Sequence, residues 1–276
     1  MYSGSKAILT SKHQKLAVIA PAFAQIGLEV IELTLDTDQL GTFSGEVERL
    51  TSPLETARAK ARLGMAETGE KLGIASEGSI GPDPLIPFAI SNIEVMVFID
   101  DERGLEISET LRSLDISHGS ISASAGQDLT DFLEKVGFPE QALIVRPDAE
   151  KRSWQKGIDT EAKLIQAVAQ AAGASSNSLA HLECDYRAMY SPSRRANIAL
   201  LAEKLAIRVG TNCPSCKAPG WGKLNFERGL TCSGCGELDP AAPRAELSCC
   251  VNCDYTEIKK HLQESLNPAA CQRCNP

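Results

Sequence analysis

The chain has 276 residues, a formal net charge of −8 and a hydrophobic fraction of 43%. This length suffices for one good-sized domain and a small appendage. The acidic balance disfavours a protein held on nucleic acid by bulk electrostatics, and no apolar run approaches membrane-spanning length. We therefore expect a soluble cytoplasmic protein, and the sequence leaves its oligomeric state open, a homodimer included.

Strand and helix patterns alternate along the first 210 residues. The first predicted elements are a strand at Lys6–Thr10, a helix ending at Ile26, a strand at Glu29–Leu35, a helix from Ser52-Pro53 to Thr68 and a strand at Leu72–Ser76. Later ones are the strands Ile93–Ile99 and Leu105–Leu114, a helix, the strand Gln141–Val145, the helix Thr160–Ala172, the strand Leu179–Glu183 and the helix Pro192–Val209. This order predicts an α/β domain over residues 1–210, with a mixed central sheet and flanking helices.

Cysteine is concentrated in the last quarter of the chain, where nine of the ten cysteines lie. Eight of them form four Cys-x-x-Cys pairs, which are Cys213/Cys216, Cys232/Cys235, Cys250/Cys253 and Cys271/Cys274. Two such pairs complete a tetrahedral zinc site, so the spacing predicts two structural zinc ions in a small ribbon-like module over residues 211–276. The segment has few large apolar residues, so its folding should depend on the metal.

Two alternatives attach to these cysteines. A disulfide framework would need an oxidising compartment and a secretory signal, whereas the N-terminal segment has neither a long apolar core nor a cleavage site. The spacing leaves open whether the pairs combine sequentially or interleaved, and we expect the sequential arrangement. Cys249 is the odd thiol and could exchange with Cys250.

The turn after the first strand carries lysines and hydroxyl groups at a helix N-terminus. Thr10, Ser11, Lys12 and Lys15 could form a phosphate cradle there, although such a turn is more often only a helix cap. His13 in the same turn is expected to face solvent.

Three further segments carry candidate site residues. Glu55 and Lys60 lie on the second predicted helix, whose local sequence pattern indicates only a solvated amphipathic helix. Ser76, Glu77 and Gly78 follow a strand, where a carboxylate on a glycine-lined turn suits a metal or a general base. Arg187 and Arg194 lie near a strand end and a helix start, where guanidinium groups can clamp phosphate or a base edge. Cys184 is expected to be a small buried residue.

Two resemblances rest on these segments. The order Thr10-Ser11-Lys12-x-x-Lys15, then Glu55-Thr-Ala-Arg-Ala-Lys60-Ala, then a strand ending in Ser76-Glu77-Gly78, resembles the inosine/xanthosine triphosphate pyrophosphatases, as does Ser193-Arg194-Arg195-Ala196. Nearly the whole chain, including the segments DTDQLGTFSGEV, SPLETARAKA and ASEGSIGP, resembles an uncharacterised bacterial family, the domain of unknown function 6671, in which such a domain is fused to a zinc-binding tail.

The pyrophosphatase resemblance implies a metal-dependent hydrolase acting on a nucleoside triphosphate or a related phosphorylated molecule. Mg²⁺ or Mn²⁺ held by Glu55 and Glu77 would bridge the phosphates, and Lys12, Lys15 and Lys60 would neutralise their charge. Lys12 stands where those enzymes usually carry asparagine, and Ser76-Glu77 replaces paired aspartates. The second metal-binding acid therefore stays open among Glu55, Asp36, Asp38 and Asp100.

Two other functions remain open. The domain could bind a nucleotide or a partner without turnover, or the zinc module could dock protein or nucleic acid through residues such as Trp221 and Phe226. For those two rings, covering a small zinc core is the more ordinary role.

Overall fold

The computed structural model describes residues 2–36, 51–150 and 154–276. The chain forms two compact units, each treated separately below. The N-terminal unit comprises Tyr2–Gly104 and Ser108–Leu205, and the C-terminal unit comprises Leu105–Ile107 and Ala206–Pro276. Within the described residues, no helix is both long enough and apolar enough to cross a membrane.

A five-stranded sheet forms the centre of the N-terminal unit, in the order β2-β1-β3-β4-β5. The strands are β1 (Lys6–Thr10), β2 (Glu29–Leu33), β3 (Leu72–Pro82), β4 (Ile90–Asp100) and β5 (Leu105–Ser113). β1 runs parallel to β2 and β3, whereas β3 and β4 are antiparallel. The mixed central sheet expected from the sequence is therefore present. Because β1 pairs with β3 at Ile8–Gly73 and Leu9–Ile74, the turn that follows β1 lies beside the middle of β3.

Two helices cover this sheet, α1 (Leu16–Ala24) and α2 (Pro53–Thr68). Side chains alternate between the two faces of a sheet along each strand, so neighbouring residues of β3 and β4 pack against different helices. Ala75, Val97 and Ile99 pack with buried residues of α2. Phe98 faces the other way and stacks on Phe23 of α1, with 6.3 Å between the ring centroids.

A second sheet, which the sequence analysis did not predict, completes the N-terminal unit. Its four strands lie in the order β6-β9-β7-β8 and all pair antiparallel. They are β6 (Ser120–Ala123), β7 (Leu143–Pro147), β8 (Gln155–Ile158) and β9 (Ala180–Cys184). The helices α3 (Thr130–Val136) and α4 (Glu161–Ala174) contribute to the core on one face of this sheet.

The helix α5 (Pro192–Gly210) spans the division between the two units, which falls between Leu205 and Ala206. The C-terminal unit then contains a three-stranded antiparallel sheet of β10 (Lys223–Thr231), β11 (Leu238–Cys249) and β12 (Thr256–His261). A small buried cluster there consists of Leu230, Ala242, Leu266 and two cysteines, Cys232 and Cys271.

Candidate functional site

The eight paired cysteines gather into two groups of four. The first cysteine cluster contains Cys213, Cys216, Cys250 and Cys253, and the second contains Cys232, Cys235, Cys271 and Cys274. The pairs therefore combine in an interleaved order. The expectation of sequential pairing is wrong.

The sulfur positions fit a metal in both clusters. In each cluster the four Sγ atoms all lie within 4.8 Å of one another. The Sγ–Sγ distance is 4.0 Å for Cys213–Cys253 and 3.6 Å for Cys216–Cys250. It is 3.8 Å for Cys232–Cys274 and 3.7 Å for Cys235–Cys271. Tetrahedral zinc with Zn–S bonds of about 2.3 Å places its sulfurs about 3.8 Å apart, whereas a disulfide would need about 2.05 Å. The two clusters are thus compatible with two structural zinc ions.

The backbone around the pairs explains how each presents two sulfurs to one point. Lys217 N–H donates to Cys213 O, and Gly236 N–H donates to Cys232 O, so each pair lies on a tight turn. Lys217 and Gly236 both adopt the left-handed conformation, with φ of 63° and 74°. This conformation suits glycine and costs a lysine some strain, which the turn imposes.

The sheet of the C-terminal unit explains the interleaved order. β10 separates the first pair from the second, and its nine residues span roughly 27 Å. The antiparallel β11 then returns the chain, so that Cys249 at its end pairs with Lys223 at the start of β10. The third pair is thereby brought back to the first, and β12 carries the chain towards the second. Sequential pairing would require the two ends of β10 to meet.

Backbone hydrogen bonds support the thiolate form of one cysteine in each cluster, whereas the pKa values of Cys253 and Cys274 are raised to about 12. Hydrogen bonding from the Ala218 backbone lowers the pKa of Cys216 to about 6, and hydrogen bonding from the Cys235 backbone lowers that of Cys232 to about 7. Trp221 lies beside Tyr255, with 5.4 Å between the ring centroids, next to the first cysteine cluster in sequence. Cys249 is buried at the end of β11 and belongs to neither cluster.

A second group of functional side chains lies at the end of β1 and in the middle of β3. The expectation of a turn at Ser76–Gly78 is wrong, because β3 continues to Pro82 and these residues stay paired with β4. Lys15 is only 5% exposed, and its Nζ donates to Ser76 O at 3.1 Å and to Ser76 Oγ at 2.9 Å. Both acceptors are uncharged. Burial, followed by the charge of Arg194, lowers the pKa of the Lys15 amine to about 8. The parallel pairing of β1 with β3 thus joins the lysine of the first predicted loop to the serine of the second.

Glu77, the next residue of β3, is buried and points to the other face of the sheet. Its Oε2 accepts a hydrogen bond from Lys60 Nζ at 2.6 Å. Lys60 reaches it because it lies one helical turn from Ala57, which α2 packs against the sheet. The structure therefore brings Lys60 and Glu77 together as an ion pair.

Gly78 makes room for a carboxylate that the sequence analysis overlooked. Glu94 lies opposite Gly78 on β4 and is fully buried. It pairs with Arg194, whose Nε lies 2.6 Å from Glu94 Oε1. Asn92 donates to the same oxygen at 3.0 Å, and Arg194 also donates to Tyr186 O at 2.7 Å. A single acidic residue within the apolar run of β4, facing a glycine, was the available signal.

Arg187 is held in a fixed plane by two neighbours. Its Nη2 donates to Asp185 Oδ2 at 2.6 Å, and its guanidinium lies 4.6 Å from the centroid of the Tyr190 ring. Asp185 is fully buried and also accepts the backbone N–H of Gly157 at 3.0 Å. Asp185 is therefore a structural residue that positions Arg187.

His13 lies within electrostatic range of several of these cations. Burial is the largest cause that lowers its pKa, to about 3, and the charges of four cations follow. They are Lys15, Arg194, Arg187 and Lys60, which we call the cation cluster. His13 is half-buried, so the expectation that it faces solvent is wrong. His13 is therefore neutral at physiological pH. Three of the four cations have a carboxylate partner, in Glu77, Asp185 and Glu94.

Other predicted site residues lie apart from this arrangement. Thr10 is buried beneath α2, where a side chain at Gly64 would meet its Oγ1. Ser11 accepts the N–H of His13 at 3.2 Å and so shapes the turn. Lys12 is exposed and pairs with Asp36 at 3.1 Å.

Glu55 has a local role that competes with metal binding. Glu55 is exposed at the start of α2. Its Oε2 accepts a hydrogen bond from the Ser52 backbone N–H at 2.9 Å, and the Glu55 backbone N–H donates to Ser52 Oγ. This capping box satisfies two amides at the start of the helix. The hydrogen bonds from Ser52 lower the pKa of the Glu55 carboxyl.

The other candidate acids do not complete a magnesium site with Glu77. Asp100 is fully buried at the far end of β4, where it accepts from Tyr2 Oη at 2.8 Å and pairs with Arg103. Five strand positions, or roughly 17 Å, separate it from Glu77. Asp38 lies outside the described residues. Among the residues that the structure describes, the only groups of three or more metal-binding side chains are the two cysteine clusters. No preformed Mg²⁺ or Mn²⁺ site is therefore supported.

Cys184 is buried at the end of β9, as the sequence predicts. Burial raises the pKa of its thiol to about 12, which leaves it protonated at physiological pH and a poor nucleophile.

Comparison with known families assigns the chain to one of them. The model of the family described as a domain of unknown function (DUF6671) matches residues 60–276, and the chain therefore belongs to that family. The match contains both cysteine clusters, Glu77 and Glu94, and it begins after the turn that carries Lys15. No curated protein matched the chain.

Proposed function

In this member of the family, we propose that the N-terminal unit binds a phosphate-bearing small molecule at the cation cluster. The C-terminal unit carries the two zinc-compatible clusters as structural centres. A nucleoside triphosphate or a related phosphorylated compound is the ligand class that the charge and the resemblance to the pyrophosphatases favour.

The observation that carries this proposal is the state of Lys15. A buried ammonium group is costly unless a charge partner compensates it. Among the described residues its Nζ contacts only the carbonyl and the hydroxyl of Ser76. An anion bound beside it would supply the missing countercharge.

The charges around Lys15 point the same way. Lys60, Arg187 and Arg194 each have a carboxylate partner, in Glu77, Asp185 and Glu94 respectively. Among the described residues the three ion pairs balance, and no carboxylate lies within salt-bridge distance of Lys15 Nζ; Glu32 accepts the Lys15 backbone N–H at 3.0 Å. Guanidinium groups already fixed in place bind phosphate with little loss of conformational freedom.

Hydrolysis of the bound ligand is a second candidate, favoured by Glu77. Glu77 is 4% exposed and its Oε2 accepts from Lys60 Nζ, so a ligand phosphate that draws Lys60 away would free the carboxylate. The described part of the chain offers no preformed Mg²⁺ or Mn²⁺ site, so such an ion would have to arrive with the ligand phosphates. Binding without turnover and a docking role for the zinc module are the competing proposals.

A thermal-shift screen with phosphate, pyrophosphate and nucleoside triphosphates tests the binding proposal. We expect stabilisation that rises with ligand concentration, because a ligand that binds only the folded state stabilises it by mass action. Absence of any shift across the series at millimolar concentrations would contradict the proposal.

A phosphate-release assay with Mg²⁺ or Mn²⁺ tests turnover. If Glu77 acts in it, Glu77→Gln should lower the rate by a factor on the order of a hundred, and Asp159→Asn, which removes an exposed paired carboxylate, should not. Ligand binding with no release of phosphate would favour the alternative proposal, a protein that binds the ligand without hydrolysing it.

A further inference from the structure

The first three residues of β5 belong to the C-terminal unit. Leu105–Ile107 group with Ala206–Pro276, whereas residues 108–113 of the same strand belong to the N-terminal unit. Leu105 is 6% exposed, and Ile107 is fully buried. Among the described strands, β5 lies at one edge of the five-stranded sheet and is hydrogen-bonded on one side only. This edge strand therefore starts in the unit that carries the cysteine clusters.

Ile107 packs against Gly220, next to the first cysteine cluster. A Cβ atom at Gly220 would lie 2.8 Å from Ile107 Cδ1 and 2.7 Å from Val251 Cγ2, so both side chains rest against the Gly220 backbone. Gly220 has a φ of 94°, which other residues rarely adopt. Val251 directly follows Cys250 and precedes Cys253. Ile107 and the turn of the third cysteine pair thus meet at one glycine.

The loop of residues 211–220 ends at Gly220 and carries the other two cysteines of the first cluster. Gly220 N–H donates to Thr211 O at 3.0 Å, so the two ends of the loop are fastened together. A metal ion held by all four cysteines would join this loop to the turn that carries Val251. It would therefore join the two pieces of chain that meet at the Ile107 contact.

The second cysteine cluster has a different apolar environment. The buried aliphatic residues beside it are Leu230, Ala242 and Leu266. Among the residues that the structure describes, this buried group includes none of Leu105–Ile107. The two clusters therefore differ in what their metal ions would hold in place.

We propose that the first cysteine cluster is a zinc-dependent clamp on the start of β5, and that the second cluster has no such role. With zinc bound, the loop that ends at Gly220 and the turn that carries Val251 form one surface, and Ile107 packs on it. Without zinc in the first cluster these two pieces separate, so Ile107 is exposed and Leu105–Ile107 lose their order. Zinc occupancy of this cluster then sets the length of the ordered edge strand, which makes the clamp a metal-responsive conformational element.

The coupling acts in both directions. If zinc binding favours the packed state of Ile107, the packed state favours zinc binding by the same factor, because coupling free energies are reciprocal. Packing of Ile107 therefore raises the zinc affinity of the first cluster and leaves that of the second unchanged.

Methyl NMR of the full-length zinc-loaded protein, labelled at the isoleucine δ1 methyl groups, tests the clamp. Cys216→Ser/Cys253→Ser removes one cysteine from each pair of the first cluster, and Cys235→Ser/Cys274→Ser is the matched change in the second. We expect only the first double variant to move the Ile107 resonance to its unfolded-state position. The same response in both variants would overturn the proposal, and so would an unchanged Ile107 resonance in the first.

The reverse effect is measured with every cysteine in place. Ile107→Val and Ile107→Ala remove progressively more of the contact, and chelator competition with N-ethylmaleimide labelling identifies which cluster releases its zinc. We expect Ile107→Ala to lower the zinc affinity of the first cluster about tenfold, Ile107→Val to lower it less, and neither to change the second. Ile158→Val, an equal truncation in the core of the N-terminal unit, should change neither cluster. Equal weakening of both clusters by Ile107→Ala, or of neither, would contradict the clamp.

Discussion

Gly78 and Glu94 face each other across β3 and β4, and a Cβ atom at Gly78 would lie 2.3 Å from Glu94 Oε1. Because Gly78 has no side chain, the Glu94 carboxylate of the buried Glu94–Arg194 ion pair fits against the Gly78 backbone. Because Glu94 is backbone-paired to Gly78 and hydrogen-bonded to Asn92, it has little freedom to move aside.

Gly78→Ala should therefore destabilise the N-terminal unit by about 1–3 kcal/mol, the usual cost of overpacking a filled interior. Urea unfolding followed by circular dichroism measures this cost. Gly81→Ala is the matched control on the same strand, because nothing lies within 4 Å of its added Cβ. Equal losses of unfolding free energy in the two variants would show that the Glu94 side chain moves aside at no cost.

The cysteine pairing is tested by counting zinc in double variants. Interleaved clusters predict that Cys213→Ser/Cys250→Ser loses one zinc ion per chain, because both residues belong to the first cluster. Cys213→Ser/Cys232→Ser should lose both ions. Sequential pairing predicts the opposite pattern, and Cys249→Ser should retain two ions in either case.

Zinc removal should unfold the C-terminal unit alone. Its buried hydrophobic cluster is small, with three aliphatic residues and two cysteines of the second cysteine cluster, so we expect a bound metal to contribute much of its folding energy. We expect chelation to remove the protection of β10–β12 amides from hydrogen exchange while β1, β3 and β4 stay protected. Loss of protection throughout the chain would contradict the domain boundary that the sequence predicts.

The pKa of Lys15 sets the pH range in which an anion binds. Its folded-state pKa is about 8, below the ordinary value of 10.5, so only below about pH 8 is the amine fully charged. Anion affinity should fall by up to tenfold per pH unit above 8, in excess of any change caused by the ligand's own ionisation. In the ligand-free protein the unfolded state binds more protons between pH 8 and 10.5, so stability should rise across that window relative to Lys15→Met. Titrations from pH 6.5 to 9.5 check the first trend, and a flat profile would exclude Lys15 from the contact.

Local patterns predicted much of the fold. β1 has the predicted bounds, and α2 begins at the predicted proline, because a buried apolar run and a capping box are determined by neighbouring residues. β6 and β8 were missed, since each has four residues and is held in place by strands distant in sequence. Sequence also identified all eight cysteines of the two clusters, but their interleaving follows from antiparallel strand pairing, which is not a local property.

The candidate anion site was predicted in part. Lys15, Lys60, Glu77, Arg187 and Arg194 were all named from the sequence. The partner of Arg194 was not, because Glu94 reaches Arg194 across 100 residues of chain and its role depends on the space at Gly78. Glu55 was assigned to metal binding on the strength of a resemblance, whereas its contact with Ser52 gives it a local role in capping α2.

Isothermal titration of the zinc-loaded protein with pyrophosphate and a nucleoside triphosphate at pH 7 measures anion binding at Lys15. We expect saturable binding by the unaltered chain and by Lys163→Met, which removes an exposed paired lysine of α4. We expect at least tenfold weaker binding by Lys15→Met, which keeps the length of the side chain and removes its charge. Equal affinity of Lys15→Met and the unaltered chain, or no binding by either, would contradict anion binding at Lys15.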